Sequence, residues 1–198
     1  MARIPPLPRE ELHQFEEGFA AAEQFMGFVP NSLFTMARVP GLYESFGSLA
    51  RTVFFNDLIP PDLVQMLAFM SSAGSGCRYC QAHTSKSVSR LGVDEEKVAA
   101  LWEFETSNLF DDAEKAALRL AFHAGQVPNA ATDEDFAACR EHYTDDQIAA
   151  IVAAISVFGY LNRWNDTVAT ELEDVPGDFA ERVMTPGGWE AGRHRSQT

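Results

Sequence analysis

Apolar residues recur every three or four positions along nearly the whole chain, and no stretch sustains the two-residue alternation of a strand, so the pattern predicts an all-α protein. Pro8-Arg9-Glu10-Glu11-Leu12 opens a polar amphipathic segment reaching about Phe25, and Pro30-Asn31-Ser32 interrupts it and caps a short helix. Pro40-Gly41 starts a helix with Leu42, Phe46, Leu49, Val53 and Phe54 on one face. Pro60-Pro61-Asp62 begins the next, Leu63 to Ala73, with Leu63, Met66, Leu67 and Met70 facing the core; Gly74-Ser75-Gly76 closes it. A further helix runs to about Leu91 with Gly92 just past its end, and Val93-Asp94-Glu95-Glu96 restarts a short one. Asp111-Asp112 leads a helix to Gly125, and Thr132-Asp133 another to about His142. Thr144-Asp145 leads the longest, ending near Leu172. This reads as one helical domain over 1–186, with an N-terminal extension over about 1–40 and an extended or mobile tail over 187–198.

A faint internal repeat runs through the pattern. A shift of 85 residues places Leu63-Val64-Gln65-Met66-Leu67-Ala68 on Ile148-Ala149-Ala150-Ile151-Val152-Ala153, and pairs Gly74 with Gly159, Arg78 with Arg163 and Tyr79 with Trp164. It predicts two weakly related helical units.

The candidate chemistry lies where that register falls on Gly76-Cys77-Arg78-Tyr79-Cys80-Gln81-Ala82-His83. On a helix, residues three or four apart are neighbours, so Cys77, Cys80 and His83 share a face. Two thiols at that spacing can close a disulfide, and an imidazole beside them can take the thiol proton. The leading expectation is a redox dithiol. Cys77 would stand in the first helical turn, where unpaired amides favour a thiolate. Cys80 is taken as the attacking thiol and Cys77 as the resolving one. Two alternatives stand beside it. A structural zinc site would take Cys77, Cys80 and His83 and need Cys139, His123 or His142 as a fourth ligand. Inert buried cysteines are the other, against which the polarity of Arg78, Gln81 and His83 weighs.

Composition narrows the partners. The chain has 198 residues and a formal net charge of −14, from 29 acidic and 15 basic residues, which opposes a nucleic-acid or anionic-membrane surface. The N-terminus lacks the apolar run of a secretory signal, and Ile148 to Leu161 is too short to span a bilayer, so a cytoplasmic location without membrane attachment is expected. Phe104, Phe110, Phe158 and Trp164 exceed what one small helical layer buries and predict a homo-oligomer. Trp102 and Phe122 read as core or interface. Asn162, Arg163 and Asp166 could line a pocket or a subunit contact, and Cys139 reads as incidental.

Taken with Met26-Gly27-Phe28-Val29-Pro30-Asn31-Ser32-Leu33, Leu91-Gly92 and Phe158-Gly159-Tyr160-Leu161-Asn162-Arg163, the dithiol segment resembles the carboxymuconolactone decarboxylase superfamily, in its AhpD-like, peroxidase-related branch. The resemblance implies an AhpD-like helical bundle that assembles as a trimer or hexamer. It implies a thiol peroxidase or disulfide oxidoreductase with no cofactor, acting on a small peroxide and drawing electrons from a thiol or a lipoylated protein. In that family a His and an upstream Glu relay the proton. The position expected for the glutamate, twelve residues before Cys77, holds Gln65, and an amide takes up no proton at neutral pH. Thr84 stands where the best-studied members carry the His, and His83 one position earlier, as in the peroxidase-related branch. Whether Asp62 substitutes for the carboxylate is left open. The Gln65 substitution also keeps open a non-catalytic binding or regulatory oligomer, and the superfamily a decarboxylase-like lyase.

Overall fold

The computed structural model describes residues 2–195, which wind into ten α-helices joined by short turns, with no strand among the described residues. They are α1 (Glu16–Met26), α2 (Asn31–Met36), α3 (Leu42–Phe54), α4 (Pro61–Ser75), α5 (Arg78–Arg90), α6 (Glu95–Ala99), α7 (Asp112–Gly125), α8 (Asp133–Arg140), α9 (Asp145–Val168) and α10 (Asp174–Met184). Local chemistry sets most ends. Pro61 occupies the first position of α4, where its missing N–H costs nothing. Asp111, Thr132 and Thr144 each close a reciprocal capping box with Glu114, Asp135 and Gln147, starting α7, α8 and α9.

Helix α4 is the axis of the bundle. Residues 63–72 are all buried, because α5, α7 and α9 pack around it. The α4–α7 crossing is close enough that a Cβ on Gly125 would collide with the Ser71 backbone, so only glycine fits there. The N-terminal segment forms a second, smaller core of Leu12, Phe19 and Val29, against which Phe15, Phe34 and Tyr43 pack.

Three sequence expectations are corrected. Helix α9 stops at Val168, because Ala169 adopts a left-handed conformation at φ 54°. For alanine this backbone is unfavourable by about 1–2 kcal/mol; the Thr170 N–H bond to the Asn165 carbonyl (3.1 Å) and the Leu172 N–H bond to the His194 carbonyl (2.7 Å) hold the turn. The segment from 187 is ordered as far as described: Trp189 and His194 are each 1 % exposed, and His194 Nδ1 lies 2.8 Å from the Thr170 carbonyl. Residues 196–198 of the expected tail lie outside the described residues. The two units differ as the sequence pattern has it: the first breaks at Gly76 (φ 77°) between α4 and α5, and its counterpart runs unbroken through α9. Finally, Phe104, Phe110 and Phe158 are buried within the chain; the exposed large apolar residues include Leu49, Phe55, Val152 and Tyr160 on α3, its end and α9.

Candidate functional site

The left-handed Gly76 ends α4 and turns the chain so that Cys77 becomes the residue capping α5, one position before the first turn expected for it. The corner is tied by the Cys77 N–H bond to the Ser72 carbonyl (3.0 Å), the Gln81 N–H bond to the Cys77 carbonyl (3.2 Å) and the Gln81 amide bond to the Ser72 carbonyl (3.1 Å). Cys80 follows in the first turn. Both thiols are free and buried, Cys77 fully and Cys80 to 2 % exposure. The polarity of this segment does not mean exposure. Residues 79–85 are all buried, and Thr84, Ser85 and Ser87 turn their hydroxyls onto carbonyls of their own helix.

Cys80 opens onto a cavity of about 720 Å³ that Cys77 does not line. Its lining includes the polar or reactive Gln65, Cys80, His83, Thr84 and Asn165 and a larger aromatic and aliphatic wall with Phe15, Tyr43, Phe46, Phe54, Phe158 and Leu161. Phe15 comes from the N-terminal extension, Tyr43, Phe46 and Phe54 from α3, and Phe158 and Leu161 from α9.

His83 is held from three sides. Its Nε2 lies 2.6 Å from Oε2 of Glu173, the Tyr79 ring stacks on it with centroids 4.1 Å apart, and Phe28 meets it edge-on at 5.0 Å. Glu173 precedes α10, and the Ala169 turn is what swings it back toward α5. Its other oxygen accepts the Tyr79 hydroxyl at 2.8 Å and the Asn31 backbone N–H. Burial disfavours the Glu173 charge, yet the His83 charge and hydrogen bond, with the Asn31 N–H, hold its carboxyl below the usual range. An ionised Glu173 accepts from Nε2–H, which leaves Nδ1 as the ring nitrogen turned away from the carboxylate. Burial first, then the Glu173 charge, push the Tyr79 phenol well above its ordinary range, so it remains an O–H donor.

The carboxylate beside the imidazole is therefore Glu173, and neither Gln65 nor Asp62 fills that place. Gln65 is buried in the cavity wall with Cys80 and His83, while Asp62 is partly exposed at the start of α4. Sequence gave no cue to Glu173, one acid among Glu171, Glu173 and Asp174 and ninety residues from His83. Asn165 was also missed as a site residue: its Nδ2 donates to Cys80 Sγ at 3.6 Å. The 85-residue shift that pairs Tyr79 with Trp164 also places Cys80 on Asn165. Burial pushes the Cys80 thiol well above the ordinary thiol range, and Cys77 and the Asp166 charge add to this, while the Asn165 bond opposes it.

The zinc alternative lacks its ligands. Among the described residues no three His, Cys, Asp or Glu side chains gather to hold a metal. His123 instead pairs through Nδ1 with Asp135 at 2.8 Å, His142 is exposed, and Cys139 is buried away from the cavity.

Comparison with known proteins places these features in a family. The carboxymuconolactone decarboxylase family model matches residues 40–122, which include both site cysteines and His83. The debrominase Bmp8, as a cysteine-to-alanine variant in complex with 2,3,4-tribromopyrrole, is 34 % identical, with a TM-score of 0.86 over 91 % of this chain and 96 % of that one. A peroxidase-related protein with an alkylhydroperoxidase AhpD core from Ralstonia eutropha JMP134 superposes with a TM-score of 0.78 over 91 % of this chain and 95 % of its own. At 21 % identity that likeness concerns the fold. The uncharacterized protein YdfG of Bacillus subtilis (strain 168) is 29 % identical over 103 residues, 51 % of this chain and 67 % of its own length.

Proposed function

This chain belongs to the carboxymuconolactone decarboxylase family, in its AhpD-like branch, and on that premise we propose that it is a dithiol oxidoreductase that reduces an apolar organic substrate by two electrons. The observation that carries the reading is the division of the two thiols: Cys80 lines a largely apolar cavity of about 720 Å³, and Cys77 lies behind it. A cavity of that size lies within the range of small-molecule sites. The aromatic wall favours an organic molecule over hydrogen peroxide.

With an organic hydroperoxide, the Cys80 thiolate attacks the outer peroxide oxygen. An S–O bond forms as the O–O bond breaks, and the alkoxide leaves as the alcohol after taking a proton. Cys77 then attacks the Cys80 sulfur, the disulfide forms and water departs. Two thiols have supplied the two electrons, and an external dithiol restores them by exchange. His83, lining the same cavity, accepts the Cys80 proton on Nδ1 through a molecule held between them and returns it to the leaving oxygen. Glu173 holds the ring in that tautomer.

The likeness to Bmp8 over nearly the whole chain supports a second reading, in which the electrophile is an aromatic carbon–bromine bond. Cys80 would attack bromine, the ring carbon would leave and be protonated, and Cys77 would displace bromide as the disulfide closes. The same dithiol serves both.

Incubating the reduced protein with cumene hydroperoxide and, separately, with a bromopyrrole distinguishes them. Alcohol formed at one equivalent per two thiols lost supports the first, and bromide released at that ratio the second. Full retention of thiols with both would leave the binding-protein alternative.

A further inference from the structure

We propose that Asn165 is a catalytic hydrogen-bond donor that places the negative charge of the dithiol on Cys80, the sulfur facing the cavity. The proposal rests on the reading that Cys80 is the attacking thiol.

Two adjacent buried thiols share one question: which sulfur loses its proton. Nothing in their sequence spacing decides it, since a single charge on either repels a second on its neighbour. The answer has chemical consequences here, because an anion on Cys77 would be shut away from the cavity. Asn165 breaks the symmetry. It projects from α9, is 1 % exposed, and its Nδ2 lies 3.6 Å from Cys80 Sγ. A thiolate accepts such a bond far better than a neutral thiol, so the contact favours ionisation of the sulfur it touches.

The remaining bonding of this side chain points the same way. Asn165 Oδ1 is buried without a hydrogen-bond partner among the described residues, so the sulfur contact is the amide's polar contact there. A buried asparagine kept for architecture normally satisfies both ends. The charged and titratable groups around Cys80 do not supply the same effect. Cys77 on its own element and Asp166 on α9 oppose the anion, α4 presents the neutral amide of Gln65, and Glu173 is engaged by His83 and Tyr79. Beside the amides of the first turn of α5, the Asn165 bond is the side-chain contact on Cys80 that works toward the thiolate.

The inference also explains the repeat register. Positions 80 and 165 are related by the shift of 85 residues, and they meet in space as thiol and donor. One unit carries the reactive group, and its counterpart carries the group that activates it.

The test is alkylation of the reduced full-length protein by iodoacetamide across a pH series, with labelled peptides separating Cys77 from Cys80. In the unsubstituted protein Cys80 labels ahead of Cys77. In Asn165→Leu, nearly isosteric but without a donor, the Cys80 profile moves to higher pH by about one unit, a tenfold loss of labelling at neutral pH. Asn165→Ala gives the same reading if the larger side chain prevents folding. An unchanged Cys80 profile in either folded variant overturns the inference. The underlying reading is checked apart from it: turnover retained by Cys80→Ser would overturn the choice of nucleophile, whatever Asn165 does.

Discussion

His83 Nε2 and Glu173 Oε2 lie 2.6 Å apart, a contact between residues ninety positions distant that supplies the carboxylate absent at Gln65. It depends on the Ala169 turn, which ends α9 early and returns the chain to the first turns of α5. Glu173→Gln is expected to lower kcat/KM about tenfold or more, within the range for disturbing general acid–base catalysis. Gln65→Glu should change it less. Steady-state kinetics of the two variants, with the substrate turned over by the unsubstituted protein, checks the ranking; a silent Glu173→Gln would remove the carboxylate from the mechanism.

Glu173 also links the site to stability. Its folded pKa is held below the unfolded value of about 4.3, so its contribution is fully present above that pH and is lost as pH falls through the depressed folded value. At neutral pH, Glu173→Gln should cost about 1.5–3 kcal/mol, the scale of a hydrogen bond to a charged group. Urea unfolding at neutral pH and at successively more acidic pH checks this. The difference between the two proteins should be clear at neutral pH and shrink steadily as pH falls below about 4.3.

The helices were legible because α4, α7, α8 and α9 carry their own start signals in Pro61, Asp111, Thr132 and Thr144. Cys77, Cys80 and His83 were legible because their grouping is local. Glu173 was not: its placement follows from a left-handed alanine and from packing of the segment 169–195, neither of which leaves a periodic signal. Polarity also misled. Arg78, Gln81 and His83 make the segment look too polar for a core, yet Gln81 and His83 are buried, and Gln81, Thr84 and Ser87 bond to backbone carbonyls inside the bundle.

Gly18 packs directly against the Tyr43 hydroxyl in the cavity lining, and a Cβ there would clash with it. Gly18→Leu should push Tyr43 aside and narrow the aromatic end. The expected result is a raised KM for cumene hydroperoxide with the rate toward hydrogen peroxide little changed. Equal losses for both would mean that the aromatic wall does not select the substrate.

Cys139 should be a bystander. Burial first, then the Asp135 charge, push its thiol up to about 11, so it stays protonated at neutral pH. Cys139→Ser is expected to leave turnover unchanged, and alkylation of Cys139 should become appreciable only toward strongly alkaline pH. Loss of activity in that variant, with folding intact by circular dichroism, would contradict the assignment.

Phe55 is 58 % exposed, with Leu49, Val152 and Tyr160 also open to solvent on α3 and α9. We expect this apolar surface to be covered in a homo-oligomer, which the family resemblance narrows to a trimer or hexamer. Light scattering at micromolar concentration should give a multiple of the 21.9 kDa chain mass, and Phe55→Glu should shift it toward the monomer. A monomer before substitution would refute the expectation.

Peptide mapping after reduced protein is treated with one equivalent of cumene hydroperoxide bears most directly on the dithiol mechanism. The mechanism predicts a Cys77–Cys80 disulfide with Cys139 still free, and no such bridge in Cys80→Ser. A bridge from Cys139 to either residue, with the Cys77–Cys80 link absent, would contradict it.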